Sequence, residues 1–344
     1  MKIIKIYFTI LFLSIATYAS SQNFKNANEY LDFVGKEHKS ITKSMWNYTK
    51  AIAHSKKDRT IRGKRNILIK TIERAIVKVK RANGYDGDDY KNKVLSHMTF
   101  NKDLLNHDYA KIIDMKEVAE QSYDLMEAYM LAQELADKKM EEAQQQYETD
   151  FYAYANKHNI QIIEGDTDLG KKMEISNEVF KHYNEMYLIY FKVYINEVYL
   201  MDALEKSDIG AIEQSANALN QSAKEGLLKL SELETYKGDK SIVSITKELF
   251  DFFKDEAENK VPILIDFLLI NENFETIKKA LDKTPQKKRT KKQVDNYNEQ
   301  VKLLNKGVKS YNKTNADLNN KRNVLINKLN AINERFLAKH IPTD

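Results

Sequence analysis

No cysteine occurs anywhere in this chain, and only three prolines and ten glycines are spread over its 344 residues. Without cysteine there is no disulfide framework, no thiol nucleophile, no c-type haem attachment and no thiol to carry a lipid behind a signal peptide. So few helix breakers, in a chain rich in Lys, Glu, Asn, Leu and Ile, predict long helices and short connections. Neither sign of charge dominates: 55 Lys and Arg stand against 50 Asp and Glu, so overall charge by itself implies no polyanion partner such as nucleic acid. G-x-S-x-G, P-loop and G-x-G-x-x-G patterns are missing, as are H-E-x-x-H and the Glu-x-x-His pairs of di-iron bundles. From these absences we expect no catalytic residue, no cofactor and no metal, and a chain that is not an enzyme.

What is present begins with MKIIKIYFTILFLSIATYASSQ. Lys2 and Lys5 make a basic start, Ile6–Ala16 an apolar core, and Ala19 and Ser21 stand at −3 and −1 to a cut before Gln22. A cut after Ala19 is the alternative. The run is shorter than the roughly 20 residues that span a bilayer. Residues 1–21 are therefore expected to be a cleaved secretory signal, and the mature chain to be exported with no integral membrane segment and no lipid anchor.

Apolar periodicity places helices at about 28–55, 58–82, 115–158, 208–234, 240–258, 262–281 and 294–340, with shorter pieces at 88–113 and a helix opening the second half. In the long helix from Met115, the residues Leu125, Tyr129, Ala132, Ala136, Met140, Ala143, Tyr147, Phe151, Tyr154 and His158 repeat over eleven residues. About 3.67 residues per turn is close to an unstrained helix, so a straight rod with one apolar face is expected. In the last helix Leu318, Leu325, Leu329, Ile332 and Phe336 are expected to face inward.

The stretch MYLIYFKVYINEVYLM, 186–201, is apolar nearly all round. Glu185, Lys192 and Asn196 form only a narrow polar stripe, which predicts the centre of a bundle. Its tyrosines should find carboxylate or backbone partners; an aromatic stripe that binds glycan or peptide is the functional alternative.

The halves superpose with an offset near 150 residues. Asn28-Glu29 matches Asn177-Glu178 and Tyr85-Asp86-Gly87-Asp88 matches Tyr236-Lys237-Gly238-Asp239 at that offset, while Lys157-His158 resembles Lys339-His340 in the same order but 182 residues on. These matches predict two tandem related helical bundles in an all-α chain: an N-terminal bundle over 22–159, a linker over 160–175 and a C-terminal bundle over 176–344. They also bear on GYDGDDY, 84–90, whose three aspartates suggest a cation loop. The copies share Tyr, Gly and a final Asp, the parts of a helix-to-helix turn, and calcium-loop spacing is absent. A structural turn is expected there.

Three further features invite a functional reading. Glu178, His182 and Glu185 share a helix face, where a surface ion-pair ladder is expected rather than a metal site. VPILIDFLLI, 261–270, reads as core, with a masked membrane-seeking hairpin as the alternative. The basic loop 283–293 holds Lys287, Lys288, Arg289, Lys291 and Lys292, the candidate contact for an anionic partner. The plain reading of the loop is a solvated linker; the functional alternative outside the cytoplasm is a contact for lipopolysaccharide, an acidic glycan or an acidic partner protein.

The exported start, the NEYLDFVGKEH opening and the FYAYANKHNI close of a long helix resemble uncharacterised all-helical exported or surface proteins of Bacteroidota and spirochaetes. The resemblance implies an envelope location and no activity. The function expected is that of a non-enzymatic binding or scaffold protein, with a membrane-active, pore-forming-like protein exposing 261–270 as the alternative.

Overall fold

The computed structural model describes residues 23–55, 57–162 and 167–343; the expected signal segment lies outside them. Nine α-helices and no strand occur among the described residues: α1 Ala27–His54, α2 Asp58–Arg81, α3 Asp89–Ala119, α4 Tyr123–Lys157, α5 Asp168–Lys206, α6 Ile209–Glu232, α7 Ser241–Asp255, α8 Val261–Asp282 and α9 Lys291–His340. The chain is all-α, and its helices pack as bundles.

Side-chain caps set several helix starts. Asn26, Ser122, Thr167 and Asp208 each accept an N–H of the first turn, and Thr290 with Gln293 forms a reciprocal capping box on α9. Two boundaries differ from expectation. Helix α3 runs unbroken past Ile113 to Ala119, because nothing at 113–115 interrupts it, and the chain turns instead at 120–122, where Ser122 caps α4. Helix α5 starts at Asp168, inside the segment expected to be linker.

Helices α7 and α8 also run on without a break. A wide π-turn over Glu256–Lys260 joins them, and the Val261 N–H reaches the Glu256 carbonyl five residues back. Pro262 has no N–H to give a carbonyl four residues earlier. The wider turn absorbs that defect, so the helix continues where a new one was expected to start.

The first four helices enclose a core of Tyr30, Leu68, Ile72, Val79, Val94, Met98 and Leu105, closed by Tyr154 of α4. The α4 stripe faces inward from Ala136 to His158 as its spacing predicts, but at its start Met126 is buried and Leu125 is turned out, 39 % exposed. The later helices surround Val193, Leu200, Leu219, Leu249, Phe250, Phe253, Leu325 and Phe336. Gly226 of α6 is needed there: a Cβ at this position would sit 2.5 Å from the Phe250 ring.

A third cluster joins the halves. The α3–α4 corner brings Ala119 and Met126 against Phe191 and Ile195 of α5, flanked by Tyr123, Tyr129, Tyr187 and Tyr194. Helix α5 is therefore apolar on several sides because it serves two cores, one on each side. Trp46 of α1 is 5 % exposed and belongs to the second half's core. Nearby, the Lys50 ammonium donates to the Thr343 carbonyl at 2.8 Å.

From α8 an arm leaves the body. With its root it takes in residues 266–313, of which 269–310 belong to none of the three cores. There α8 and α9 pair through Phe267 with Tyr311 (4.7 Å between ring centres) and Phe274 with Tyr297 (5.7 Å). The arm reaches roughly 20 Å past Leu268 at the helical rise of about 1.5 Å per residue.

Candidate functional site

The basic loop lies at the tip of this arm. Lys287 and Lys288 sit in a single 3-10 turn after Pro285, and Lys291 and Lys292 open α9. All four are exposed, and none makes an ion pair with a described residue. Arg289 departs from the expected role: it is half-buried, and its Nε donates to the Thr284 carbonyl at 3.0 Å, which pins the turn. Lysines in the first turn of a helix meet the positive end of its dipole. Lys291 and Lys292 therefore gain nothing locally, and the tip concentrates positive potential.

The apolar segment 261–270 is the root of the arm. Val261 and Leu264 are buried in the second core, Ile265 and Leu268 pack against it, and Leu269 is exposed. No helix among the described residues is long and apolar enough to cross a membrane.

GYDGDDY forms the α2–α3 turn. Asp86 and Gly87 take positive φ, as do Lys237 and Gly238 in the α6–α7 turn. The three aspartates of GYDGDDY meet three different lysines: Asp86 meets Lys157 (2.7 Å), Asp88 meets Lys91 (3.5 Å), and Asp89 meets Lys93 (3.8 Å), which pairs more closely with Asp150 (3.0 Å). They do not converge on one point. The two turns are latched alike. Lys157 and His158, ending α4, reach Asp86 at 2.7 and 3.6 Å; Lys339 and His340, ending α9, reach Asp239 at 2.7 and 2.9 Å. The carboxylate has moved two places within the motif while keeping its partners. The Lys339 ammonium, then Ser241, hold the Asp239 carboxyl well below the usual range.

Two buried polar clusters escaped the sequence reading. In the second core Arg322 of α9 donates through Nε to Glu197 of α5 and through Nη2 to Glu256 at the π-turn. Both glutamates are essentially fully buried, and the second oxygen of each has no hydrogen-bond partner. Two carboxylates facing one guanidinium leave one negative charge unmatched, which favours protonation of the pair. Burial raises both carboxyls above the usual range. One sign was legible: Glu197 lies off the narrow polar stripe of an otherwise apolar helix. Of the stripe itself, Lys192 pairs with Glu225 at 3.1 Å and Asn196 bonds back to the Lys192 carbonyl.

In the first core His38, Tyr147 and His97 stack, with ring centres 4.1 and 4.7 Å apart. Burial, then His97, pushes His38 down to about 3, and burial pushes His97 down to about 4, so both are neutral at pH 7. His182 is likewise no member of a surface ladder. Its ring lies 6.0 Å from Tyr236 and 5.9 Å from Phe336, and burial lowers it. Glu178 accepts from the Tyr236 hydroxyl instead, at 3.3 Å. No group of three or more potential metal ligands occurs among the described residues.

The α5 tyrosines Tyr183, Tyr187, Tyr190 and Tyr194 form a run of ring contacts, stacked at both ends and tilted between Tyr187 and Tyr190, and several meet the α3–α4 corner. Partners of the expected kind occur beside them rather than within the stripe, as where the Tyr199 hydroxyl donates to the Gln121 carbonyl at 3.3 Å.

Compared with known protein families, curated proteins and solved structures, the chain finds no match.

Proposed function

We propose that this chain is an exported, non-enzymatic scaffold of the cell envelope or surface, and that it holds an anionic partner on the α8–α9 arm. One observation carries the reading. Residues 266–313 hold twelve Lys and Arg against six Asp and Glu, while the whole chain is nearly balanced at 55 to 50. The surplus of positive charge therefore sits on the element that leaves the body, where a binding partner meets least steric obstruction. The two latched turns support an origin by internal duplication, with the arm as the feature that sets the second half apart.

Cell fractionation with N-terminal sequencing tests export: a mature chain starting at Gln22 or Ser20 is expected outside the cytoplasm. Sedimentation with purified envelopes tests the arm. The wild-type chain is expected to co-sediment at low ionic strength and to be released at about 1 M salt, where screening acts within about 3 Å. A variant with Gln at Lys287, Lys288, Lys291, Lys292, Lys302, Lys306, Lys309 and Lys313 should stay in the supernatant. An uncleaved cytoplasmic chain, or a variant that sediments like the wild type, would refute the reading.

The membrane-active alternative draws on exposed Leu269 in segment 261–270. Dye release from anionic vesicles decides it, and none is expected while Val261 and Leu264 remain in the core.

A further inference from the structure

Four lysines of α9 fall on one line. Lys302, Lys306, Lys309 and Lys313 follow one another at intervals of four, three and four residues, so they share one face of the helix. All four are exposed, and none makes an ion pair with a described residue. The face of α9 turned to α8 is fixed by Tyr297, Gly307 and Tyr311, which meet Phe274 and Phe267. At about 100° per residue the lysine row lies on the opposite side, along the outer edge of the arm. It is roughly 16 Å long at the helical rise. Glu299 and Asp317 continue the same line on either side, so the row has defined ends.

We infer that this row is the seat of a linear acidic polysaccharide lying along α9, with the tip lysines as a secondary contact. The inference rests on the arm being the binding element. Three features of the row select this partner among polyanions. Arg289 is the one arginine among the arm's twelve basic residues, and it is tied to Thr284. The binding charges are therefore compact, hydrated ammoniums that act as point charges, without the planar forks that read base edges bidentately. The arm's two tyrosines already lie against phenylalanines of α8, which leaves no aromatic platform for single-stranded nucleic acid. Along the row, Asn305, Ser310 and Asn312 are polar neighbours and Leu303 is the exposed apolar one. A helix face that enters a bilayer surface carries a broad apolar stripe instead. One line of charges on a helix edge fits a chain better than a plane.

The test uses the full mature protein, with polygalacturonate and dextran sulfate as probes and neutral dextran as control. The comparison anions are phosphatidylglycerol vesicles, single-stranded DNA and polyglutamate. Two variants are compared, Gln at Lys302, Lys306, Lys309 and Lys313, and Gln at Lys287, Lys288, Lys291 and Lys292. All these side chains are exposed, so circular dichroism should be unchanged in both. We expect salt-sensitive binding of both acidic polysaccharides, weakened about tenfold or more in the row variant, as four exposed ion pairs allow. The tip variant should lose about twofold. Failure of either polysaccharide to bind, or tighter binding of vesicles, DNA or polyglutamate, overturns the inference. A tip variant that loses binding while the row variant keeps it also overturns it, yet leaves the arm as the binding element. If neither variant changes the binding of any anion, both readings fall.

Discussion

Arg322 shows what a single side chain does in this fold. It crosses the second core to hold Glu197 and Glu256 together, and Phe252 lies 6.0 Å beneath its guanidinium. Because burial raises both carboxyls, and Asp255 adds to the effect at Glu256, the folded state grips protons more tightly than the unfolded chain does. The stabilisation is then complete below about pH 4.5, the ordinary glutamate value, and is lost as pH rises toward the folded values. Urea unfolding between pH 5 and pH 8 should show stability falling on the alkaline side. Glu256→Gln should flatten that fall by leaving one carboxylate to one guanidinium. Arg322→Met strands two carboxyls, and should cost about 3–5 kcal/mol near neutrality and less in acid. A stability that rises with pH in the wild type, and is unaltered in Glu256→Gln, would contradict this account.

Among the elements, α6 and α7 are fixed by a near contact. The missing side chain at Gly226 lets Phe250 lie against the α6 backbone, with Val193 of α5 closing the gap. Gly226→Ala gains helix propensity on paper, about 1 kcal/mol. The added methyl would nevertheless meet a fully buried ring that cannot retreat. Overpacking of this kind costs about 1–3 kcal/mol, so a net loss should appear as a lower urea midpoint with an unchanged slope. Helix α5 shows why element-level reading from sequence succeeds only in part. Its all-round apolarity correctly signals burial, but the same pattern fits the middle of one bundle or a seam between two. Phe191 and Ile195 serve the seam from one face and Val193 and Leu200 the bundle from the other; local spacing separates the faces but not what each one meets. Similarly, Pro262 looks like a helix start, and only the register with α9, which needs Glu256 beside Arg322, carries the helix through.

At the scale of the whole molecule, Trp46 ties the halves together. It grows from α1 but is buried in the second core, where α1 packs on α5 and α9. Its fluorescence therefore reports the half to which it does not belong in sequence. The two halves should unfold together, with fluorescence and far-ultraviolet circular dichroism following one urea curve. Trp46→Ala should cost about 3–5 kcal/mol, read by circular dichroism. Two separated transitions in the wild-type chain would show that the seam is too weak to couple the halves.

Composition and periodicity by themselves determined that the chain is all helix, where most helices start and stop, and which stripe of each is buried. Those properties depend on neighbours three or four residues away and on scarce glycine and proline, so they are written locally. The exposed lysines of the tip were legible for the same reason, since a dense polar run has no cause to be buried. Tertiary structure alone decided that Arg289 bonds inward, that Asp86 and Asp239 latch onto different helix ends, and that Arg322 meets two glutamates from distant helices. It also decided that α8 and α9 leave the body as an arm. Apart from the Arg289 bond, which closes a turn over five residues, each of these joins residues far apart in the chain, where the energy comes from desolvation and charge pairing that no single segment encodes.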